Sequence, residues 1–168
     1  MTGNPHGMAT ITWVGPDDWE AFRDVRLRAL ADSPDAFAVT LAEAESQPES
    51  LWRERLSTGD PRLLALDDDG RPVAMGCLRV PPERSDQAYV WGMWTDPSHR
   101  GRGHARALLE TLLAWARERD LDVTLQVTEG NATARELYVS FGFEPTGETE
   151  PLRPGAPLSV ETMVLRRG

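Results

Sequence analysis

The sequence has 168 residues, of which 40% are hydrophobic and 27% are charged, and its formal net charge is −9. This composition is typical of a globular protein, and the length predicts one domain over residues 9–168 behind a disordered N-terminal segment, residues 1–8. The acidic balance argues against a nucleic-acid partner, because contacts to phosphates need clustered Lys and Arg. No apolar run approaches the roughly 18 residues of a membrane helix and no signal-peptide pattern opens the chain, so we expect a cytoplasmic protein without a membrane partner.

The first half of the chain predicts a strand, two helices and a hairpin. Acidic residues ending in Gly70 between two apolar runs indicate the tight turn of the hairpin. The pattern from Ala36 to Ala44 predicts no single element. The predicted elements are a strand over Ala9–Val14, a helix over Asp17–Ala31, a short helix that opens at Pro48 and ends before Gly59, and hairpin strands over Arg62–Leu66 and Pro72–Val80.

The second half alternates strands with longer helices. An isolated Gly92 within a strand suggests a β-bulge, and Asn131 suits the N-cap of a helix that Gly142 ends. Together with the first half, this order predicts a mixed α/β layer architecture. The predicted elements are strands over Gln87–Thr95 and Leu121–Val127, helices over Ala105–Asp120 and Asn131–Phe141, a strand from Phe143 onward and a last strand over Leu158–Leu165.

Metal-binding and thiol chemistry find little support in the sequence. The three histidines, at positions 6, 99 and 104, and the single cysteine, Cys77, show no metal-ligand spacing, so we expect no metal site. One cysteine cannot form an internal disulfide, and Cys77 lies in a predicted strand. We therefore expect Cys77 to be a small buried side chain.

A basic, glycine-rich turn, Arg100–Ala105, joins the strand that ends at Thr95 to the helix that follows. The first N–H groups of a helix have no intrahelical partner and lie at the positive end of its dipole, so small residues at Gly101 and Gly103 allow a phosphate to approach them. Guanidinium groups suit phosphate oxygens, and three lie in or beside the turn: Arg100, Arg102 and Arg106. The turn therefore predicts a polyphosphate site.

The spacing of this turn excludes two well-known phosphate loops. A P-loop needs Gly, four residues and then Gly-Lys-Ser/Thr, and a dinucleotide fingerprint needs a small residue where this chain has Arg106. The motif Arg/Gln-x-x-Gly-x-Gly/Ala does match, at Arg100, Gly103 and Ala105. It resembles the acyl-CoA pyrophosphate turn of the GNAT-type N-acetyltransferases.

A second block strengthens this resemblance. Residues Val127–Phe143 are similar to the strand, Asn, helix, Leu-Tyr and Gly-Phe block of the same family. The resemblance spans residues 9–166 and is strongest from 88 to 146. It implies a GNAT-like fold with a central mixed, mostly antiparallel sheet of about seven strands and about four helices on its faces.

The resemblance also implies how the expected cosubstrate, acetyl-CoA, is held. The backbone around Met93, Trp94 and Thr95 pairs with the pantetheine arm and polarises the thioester carbonyl, an oxyanion-hole role. Asn131 contacts the pantetheine, and Tyr138 lies near the thioester sulfur, where it acts as general acid towards the departing thiolate. A core tyrosine is the alternative role for Tyr138. The expected pyrophosphate cradle consists of Arg100, Gly101, Arg102, Gly103, His104 and Ala105.

The sequence departs from the family pattern at the general base. Many family members carry a glutamate on the strand before the turn, which deprotonates the incoming ammonium through water, and Tyr89 and Trp91 stand at the corresponding places here. Glu129 is our candidate base, and a solvated loop carboxylate is its alternative role. Asp96 and His99 fit less well, because turn residues have local hydrogen bonds available.

These patterns predict transfer of an acetyl group from acetyl-CoA to a primary amine of a small molecule, by direct attack on the thioester. A protein N-terminal or lysine acetyltransferase, which would need an open groove, and a non-catalytic acyl-CoA-binding domain are the alternatives. We expect the acceptor site to lie between the first helices and the loops at 81–86 and 151–157, with Trp91 or Trp94 as an aromatic wall for a cation. The acidic chain favours a cationic acceptor, and the resemblance allows a homodimer.

Overall fold

The computed structural model describes residues 10–167, so the predicted N-terminal segment lies outside the described residues. These residues form one seven-stranded sheet in the order β1-β2-β3-β4-β5-β7-β6. All neighbouring strands are antiparallel except β4 and β5, which are parallel. The strands are β1 (Thr10–Trp13), β2 (Arg62–Leu66), β3 (Pro72–Arg79), β4 (Gln87–Thr95), β5 (Asp122–Thr128), β6 (Glu144–Pro151) and β7 (Ser159–Leu165); the helices are α1 (Trp19–Asp32), α2 (Leu41–Glu45), α3 (Glu49–Arg55), α4 (His104–Glu118) and α5 (Ala132–Ser140).

The predicted mixed α/β class and seven strands are confirmed, with strand boundaries that differ by one or two residues. The additional helix is α2, in the stretch whose pattern predicted no element. Its start is fixed by a capping box, in which the Glu43 backbone N–H donates to Thr40 Oγ1 (3.2 Å) and the Thr40 N–H donates to Glu43 Oε2 (3.4 Å). Only Ala44 of this five-residue helix is buried, so it leaves almost no periodic signal in the sequence.

Helices cover the sheet on both faces. On one face, the apolar side of α4 buries Leu108, Leu109 and Leu112 completely. On the other, α1 and α3 pack over Met75 and Cys77, which are also fully buried. Burial raises the pKa of the Cys77 thiol to about 12, which agrees with the predicted role of a small core side chain. No helix among residues 10–167 is long and apolar enough to cross a membrane.

The two parallel strands at the centre of the sheet, β4 and β5, pair over only part of their length. Strand β4 pairs with β5 from Gln87 to Val90, and β5 then continues along β7 to Thr128 without further pairing to β4. Beyond Val90, β4 contains the predicted bulge, where Gly92 has a φ of +68° and the register with β3 shifts. The second half of β4 therefore presents an unpaired edge towards β5, and the candidate site lies at this opening.

Candidate active site

The predicted turn and the second half of β4 border one cavity of about 620 Å³, here called the turn cavity. Ends of β4, α4 and α5 meet there, although they are distant in sequence. Arg102 is exposed and does not line it. All the other predicted site residues except Glu129 line it: Met93, Trp94, Thr95, Arg100, Gly101, Gly103, His104, Ala105, Asn131 and Tyr138.

The conformation of the turn depends on two glycines. Gly101 and Gly103 have φ angles of +77° and +85°, in the left-handed region where a Cβ is strained. A Cβ at either position would meet nothing within 4 Å, so packing does not exclude a side chain there. Gly103 is the N-cap of α4, whose first backbone N–H groups have no partner within the helix. The turn thus offers backbone donors beside open space, as an anion site requires.

Two arginines that support the turn, Arg100 and Arg28, form ion pairs with carboxylates. Arg100 Nη2 donates to Asp32 (2.8 Å) and its Nε donates to the Thr95 carbonyl (3.0 Å), so Arg100 ties the turn to the end of α1. Arg28 donates to Asp96 in the same way (2.9 Å). Hydrogen bonds from Ser98 and Arg28 hold the pKa of the Asp96 carboxyl far below its usual range.

Tyr138 on α5 lies at the inner end of the turn cavity and is 6% exposed. Its ring packs edge-on against Phe143, with centroids 6.0 Å apart. Burial raises the pKa of the Tyr138 phenol to about 12, so the hydroxyl stays protonated in neutral solution. Asn131 caps the same helix, since its Oδ1 accepts from the Ala134 N–H (3.3 Å).

A second space of about 420 Å³, here called the central cavity, adjoins the turn cavity. Met93, Asn131 and Tyr138 line both spaces, so Tyr138 lies at their junction. Tyr89 also lines the central cavity, and its hydroxyl donates to Gln126 Oε1 (3.1 Å). Among the described residues, no Asp or Glu lines either cavity.

The family model for "Acetyltransferase (GNAT) family" matches residues 19–143, about three quarters of the chain. The chain belongs to the GNAT acetyltransferase family. A mycothiol acetyltransferase from Beutenbergia cavernae is 36% identical over 146 residues, which cover 84% of this chain and 46% of that protein. The chain spans about half the length of the mycothiol acetyltransferases that it matches.

Solved GNAT structures share the fold along nearly the whole chain. A phosphinothricin acetyltransferase from Sinorhizobium meliloti, in complex with acetyl-CoA, superposes with a TM-score of 0.79 at 19% identity and covers 96% of this chain and 90% of its own. A ribosomal-protein-alanine N-acetyltransferase from Brucella melitensis gives 0.74 at 25% identity, with 94% and 99% covered. The GNAT fold inferred from the two sequence motifs is therefore confirmed.

The candidate base of this GNAT chain lies away from the reaction site. Glu129 is exposed, its Oε1 accepts from the Ser159 backbone N–H (2.9 Å), and it lines neither cavity. The interpretation of Glu129 as a base conflicts with this placement, because its carboxylate fixes a loop at the end of β5 instead. His99 lines the turn cavity, but its ring lies beside Ser98 (Nδ1 to Oγ, 3.0 Å) in the local turn network.

The elements expected to form the acceptor site contribute unequally to the cavities. The 151–157 loop contributes Leu152 to the central cavity and the first helices contribute Arg26 and Phe37, whereas the 81–86 loop lines neither this cavity nor the turn cavity. Trp94 donates from Nε1 to Asp32 (3.0 Å) and so supports the turn. Trp91 lines the central cavity, and the guanidinium groups of Arg26 and Arg62 lie over its ring.

Sequence reasoning missed a third space, here called the arginine cavity, of about 440 Å³. It lies between the sheet and helices α1 and α3, and it shares Arg26 and Trp91 with the central cavity. One signal was present in the sequence: Arg26 falls within the apolar stripe of α1, between Phe22 and Ala29. A charge on a buried helix face indicates either a partner inside the protein or a ligand.

Proposed function

We propose that this chain is an N-acetyltransferase that transfers an acetyl group from acetyl-CoA to a primary amine of a small molecule. The observation that carries the proposal is the position of Tyr138 at the junction of the turn cavity and the central cavity. Two substrates that enter from opposite sides would meet beside this hydroxyl. Membership of the GNAT family and the sharing of the fold with a neighbour in complex with acetyl-CoA support the donor.

On the donor side, the turn and β4 would bind different parts of acetyl-CoA. The backbone N–H groups at the start of α4 would hold the pyrophosphate, with Gly101 and Gly103 leaving the approach open. The unpaired edge of β4 near Met93 and Thr95 would hydrogen-bond the pantetheine arm as a neighbouring strand does. A backbone N–H of the same edge would polarise the thioester carbonyl.

On the acceptor side, the amine reacts in its neutral form and attacks the thioester carbonyl directly. The carbon–nitrogen bond forms, the carbon–sulfur bond breaks, and Tyr138 gives its proton to the departing thiolate. The proton that the nitrogen loses on becoming an amide returns to Tyr138 through water. The central cavity offers the ammonium no carboxylate, and the nearby Arg26 guanidinium disfavours a second positive charge. The amine therefore loses its proton to solvent before or as it binds.

A small acceptor is supported by the size and walls of the two inner cavities. Their volumes of about 420 and 440 Å³ lie within the range of small-ligand pockets. Buried side chains from α1 and α3, Phe22 and Trp52 among them, wall the arginine cavity on its helical side. A protein substrate would need an extended open groove. A homodimer remains a prediction.

The test compares the only two tyrosines of the chain. Tyr138→Phe removes the proposed general acid, so kcat should fall by about 100- to 1,000-fold while the Kd for acetyl-CoA is unchanged. The matched control, Tyr89→Phe, removes a hydroxyl that hydrogen-bonds Gln126, and kcat should change less than about threefold. Thiol release from acetyl-CoA with a panel of primary amines gives the rates, and calorimetric titration gives the Kd.

Two outcomes would contradict the proposal in different ways. An unchanged kcat in Tyr138→Phe would assign the tyrosine to the core and leave the acid elsewhere. If acetyl-CoA binds but no amine stimulates thiol release, the chain is an acyl-CoA-binding domain and not an enzyme.

A further inference from the structure

The guanidinium of Arg26 is buried without a full set of partners. Arg26 is 7% exposed, and its Nη1 has no hydrogen-bond partner among residues 10–167. Burying a charge without a partner is unfavourable by several kcal/mol in general, so such groups are paired or bind ligands. The nearest ionisable neighbours do not supply an anion: Cys77 has a raised thiol pKa and stays neutral, and Arg55 carries the same charge as Arg26.

Aromatic stacking fixes the position of this group but leaves its charge uncompensated. The Arg26 Cζ lies 4.9 Å from the centroid of Phe37 and 5.3 Å from that of Trp91. Arg62 contacts the same Trp91 ring at 5.0 Å and is held by its own bond from Nη1 to the Leu78 carbonyl (2.8 Å). Two guanidinium groups therefore lie against one indole, and their combined positive charge favours an anion nearby over a cation.

The lining of the arginine cavity has the opposite sign to the chain as a whole. One acidic residue, Asp60, lines it, and the Val80 backbone N–H donates to that carboxylate (3.3 Å). Two further buried donors there, Trp52 Nε1 and Trp91 Nε1, have no partner among residues 10–167. Four arginines line this cavity in a chain of net charge −9: Arg26, Arg55, Arg62 and Arg79.

The arginine cavity continues the path that the acceptor would take. It shares Arg26, Trp91, Tyr89, Val39 and Arg79 with the central cavity, whose far end is Tyr138. Arg26 also packs at the β4 bulge, where a Cβ on Gly92 would lie 3.6 Å from its Nη1. An acceptor with its amine beside Tyr138 thus extends towards a cluster of unsatisfied cationic and N–H donors.

We propose that the arginine cavity is an oxyanion subsite for the acceptor, so that the acceptor is a small amine that carries a carboxylate or phosphoryl-type group several bonds from its nitrogen. Arg26 contacts this group directly, and Trp91 Nε1 donates beside it. The inference rests on the proposed acetyl transfer for its substrate, but the anion site itself is independent of turnover. It replaces the expectation of a cationic acceptor, which followed from the net charge of the chain alone.

The first experiment measures kcat/KM for ω-amino acids with two to five methylene groups, and for the amide and the phosphonate of each. Rates are divided by the fraction of unprotonated amine. For the best chain length, the wild-type protein should prefer an acid to its amide by at least about tenfold, as a charge-assisted hydrogen bond to a buried guanidinium implies. Preference for the carboxylate or for the phosphonate identifies which oxyanion the subsite takes.

Variants of Arg26 test whether this side chain causes the preference for acids over amides. In Arg26→Met, the preference for acids over amides should fall by about 10- to 100-fold, mainly because KM for the acids rises. The rate with amides and the Kd for acetyl-CoA should be unchanged. Arg23→Met, on the same helix and outside the three cavities, is the matched control and should keep the preference. Arg26→Lys retains the charge and should keep part of the preference, which also covers the case in which Arg26→Met does not fold.

A binding measurement without turnover separates the two proposals. With CoA at saturation to fill the turn, inorganic phosphate at constant ionic strength should raise the Tm of the wild type and of Arg23→Met but not of Arg26→Met. If amides are acetylated as well as acids and phosphate does not change the Tm, the oxyanion subsite is contradicted. The proposed acetyl transfer would be unaffected by that result. Phosphate stabilisation that depends on Arg26, without thiol release from any amine, would keep the subsite and overturn the transferase.

Discussion

The turn and the arginine cavity differ in whether their arginines are paired with carboxylates. At the turn, each arginine that contacts the strand end has a carboxylate partner, as Arg100 has Asp32 (2.8 Å) and Arg28 has Asp96 (2.9 Å). In the arginine cavity, Arg26 is buried and its Nη1 has no hydrogen-bond partner in the part of the chain that the structure describes. Arg100 and Arg28 therefore hold the turn in place and leave its backbone N–H groups at the start of α4 to meet a ligand, whereas in the cavity the side chain of Arg26 would meet the ligand itself.

This difference separates two tasks that one substrate-binding cleft has to perform. A shared cosubstrate can be held by backbone geometry, which few substitutions can alter, with the surrounding side chains paired to keep that geometry. An acceptor specific to one protein has to be recognised by side chains, and leaving them unpaired makes the empty cavity unfavourable and the filled one favourable. The comparison predicts different responses to mutation in the two regions.

The largest expected effect comes from breaking the backbone at the turn. Gly103→Val should weaken acetyl-CoA binding by about 100-fold or more, because a β-branched residue disfavours the φ of +85° and places methyl groups at the phosphate approach. Gly70→Val is the matched control, since Gly70 has a φ of +80° and equally open surroundings in the β2–β3 hairpin. Both should lose about 1–2 kcal/mol of stability by urea unfolding.

Only the variant at the turn should change the calorimetric Kd. If Gly70→Val weakened acetyl-CoA binding equally, the effect would be a loss of stability and the backbone site at the turn would be contradicted.

A smaller effect is expected from pH, which should change kcat/KM for the acceptor and leave the Kd for acetyl-CoA unchanged. We expect kcat/KM to rise about tenfold per pH unit until the pKa of the acceptor amine, because no carboxylate lines the central cavity to act as base. The phenol of Tyr138, with its pKa of about 12, stays protonated in this range, and burial lowers the pKa of His104, which is then neutral above pH 7. The Kd for acetyl-CoA should stay constant, since Asp32 and Asp96 have lowered pKa values and remain ionised.

The measurement uses two amines whose pKa values differ by about two units, between pH 6.5 and 9.5. The midpoint of the profile should follow the amine. A midpoint shared by both amines would reveal an enzyme base and contradict the assignment.

The smallest expected effect is on stability. Arg28→Met should lower the free energy of unfolding by about 1 kcal/mol, because it removes the hydrogen bonds that Arg28 donates to Asp96 and to the Pro72 carbonyl. Arg26→Met, two residues along the same helix, should be neutral or slightly stabilising, since it removes a buried charge that has no ion pair. Urea unfolding at pH 7 compares them, and a greater loss for Arg26→Met would show that its charge is compensated in the folded protein.

The same contrast explains what the sequence could predict. The turn is a run of adjacent residues with two glycines before a helix, and Asn131 and Tyr138 belong to one short segment. The resemblance to the family could therefore single them out from local sequence. The sequence likewise predicted all seven strands, although β6 (Glu144–Pro151) is exposed along its length and has no hydrophobic alternation. These features are formed by residues close together in the chain, and such patterns can be recognised in the sequence.

The arginine cavity is assembled from separate elements and so has no local pattern. Arg26 comes from α1, Trp52 from α3, Arg62 from β2 and Trp91 from β4. Whether a charge is paired depends on residues distant in sequence, 68 positions apart for both Arg28 with Asp96 and Arg100 with Asp32, which periodicity does not encode. The hydrogen bond of Glu129 shows the same limit, because its partner Ser159 is 30 residues away.

The single buried cysteine has a practical consequence for studying this protein. Cys77 is the only thiol of the chain, it is fully buried in the sheet, and its pKa of about 12 keeps it from forming the reactive thiolate. Colorimetric disulfide reagents added to the native protein should therefore register released coenzyme and nothing else. The same inertness shields the protein from mixed disulfides with its own product, so a slow baseline in such an assay would report unfolding of the sheet.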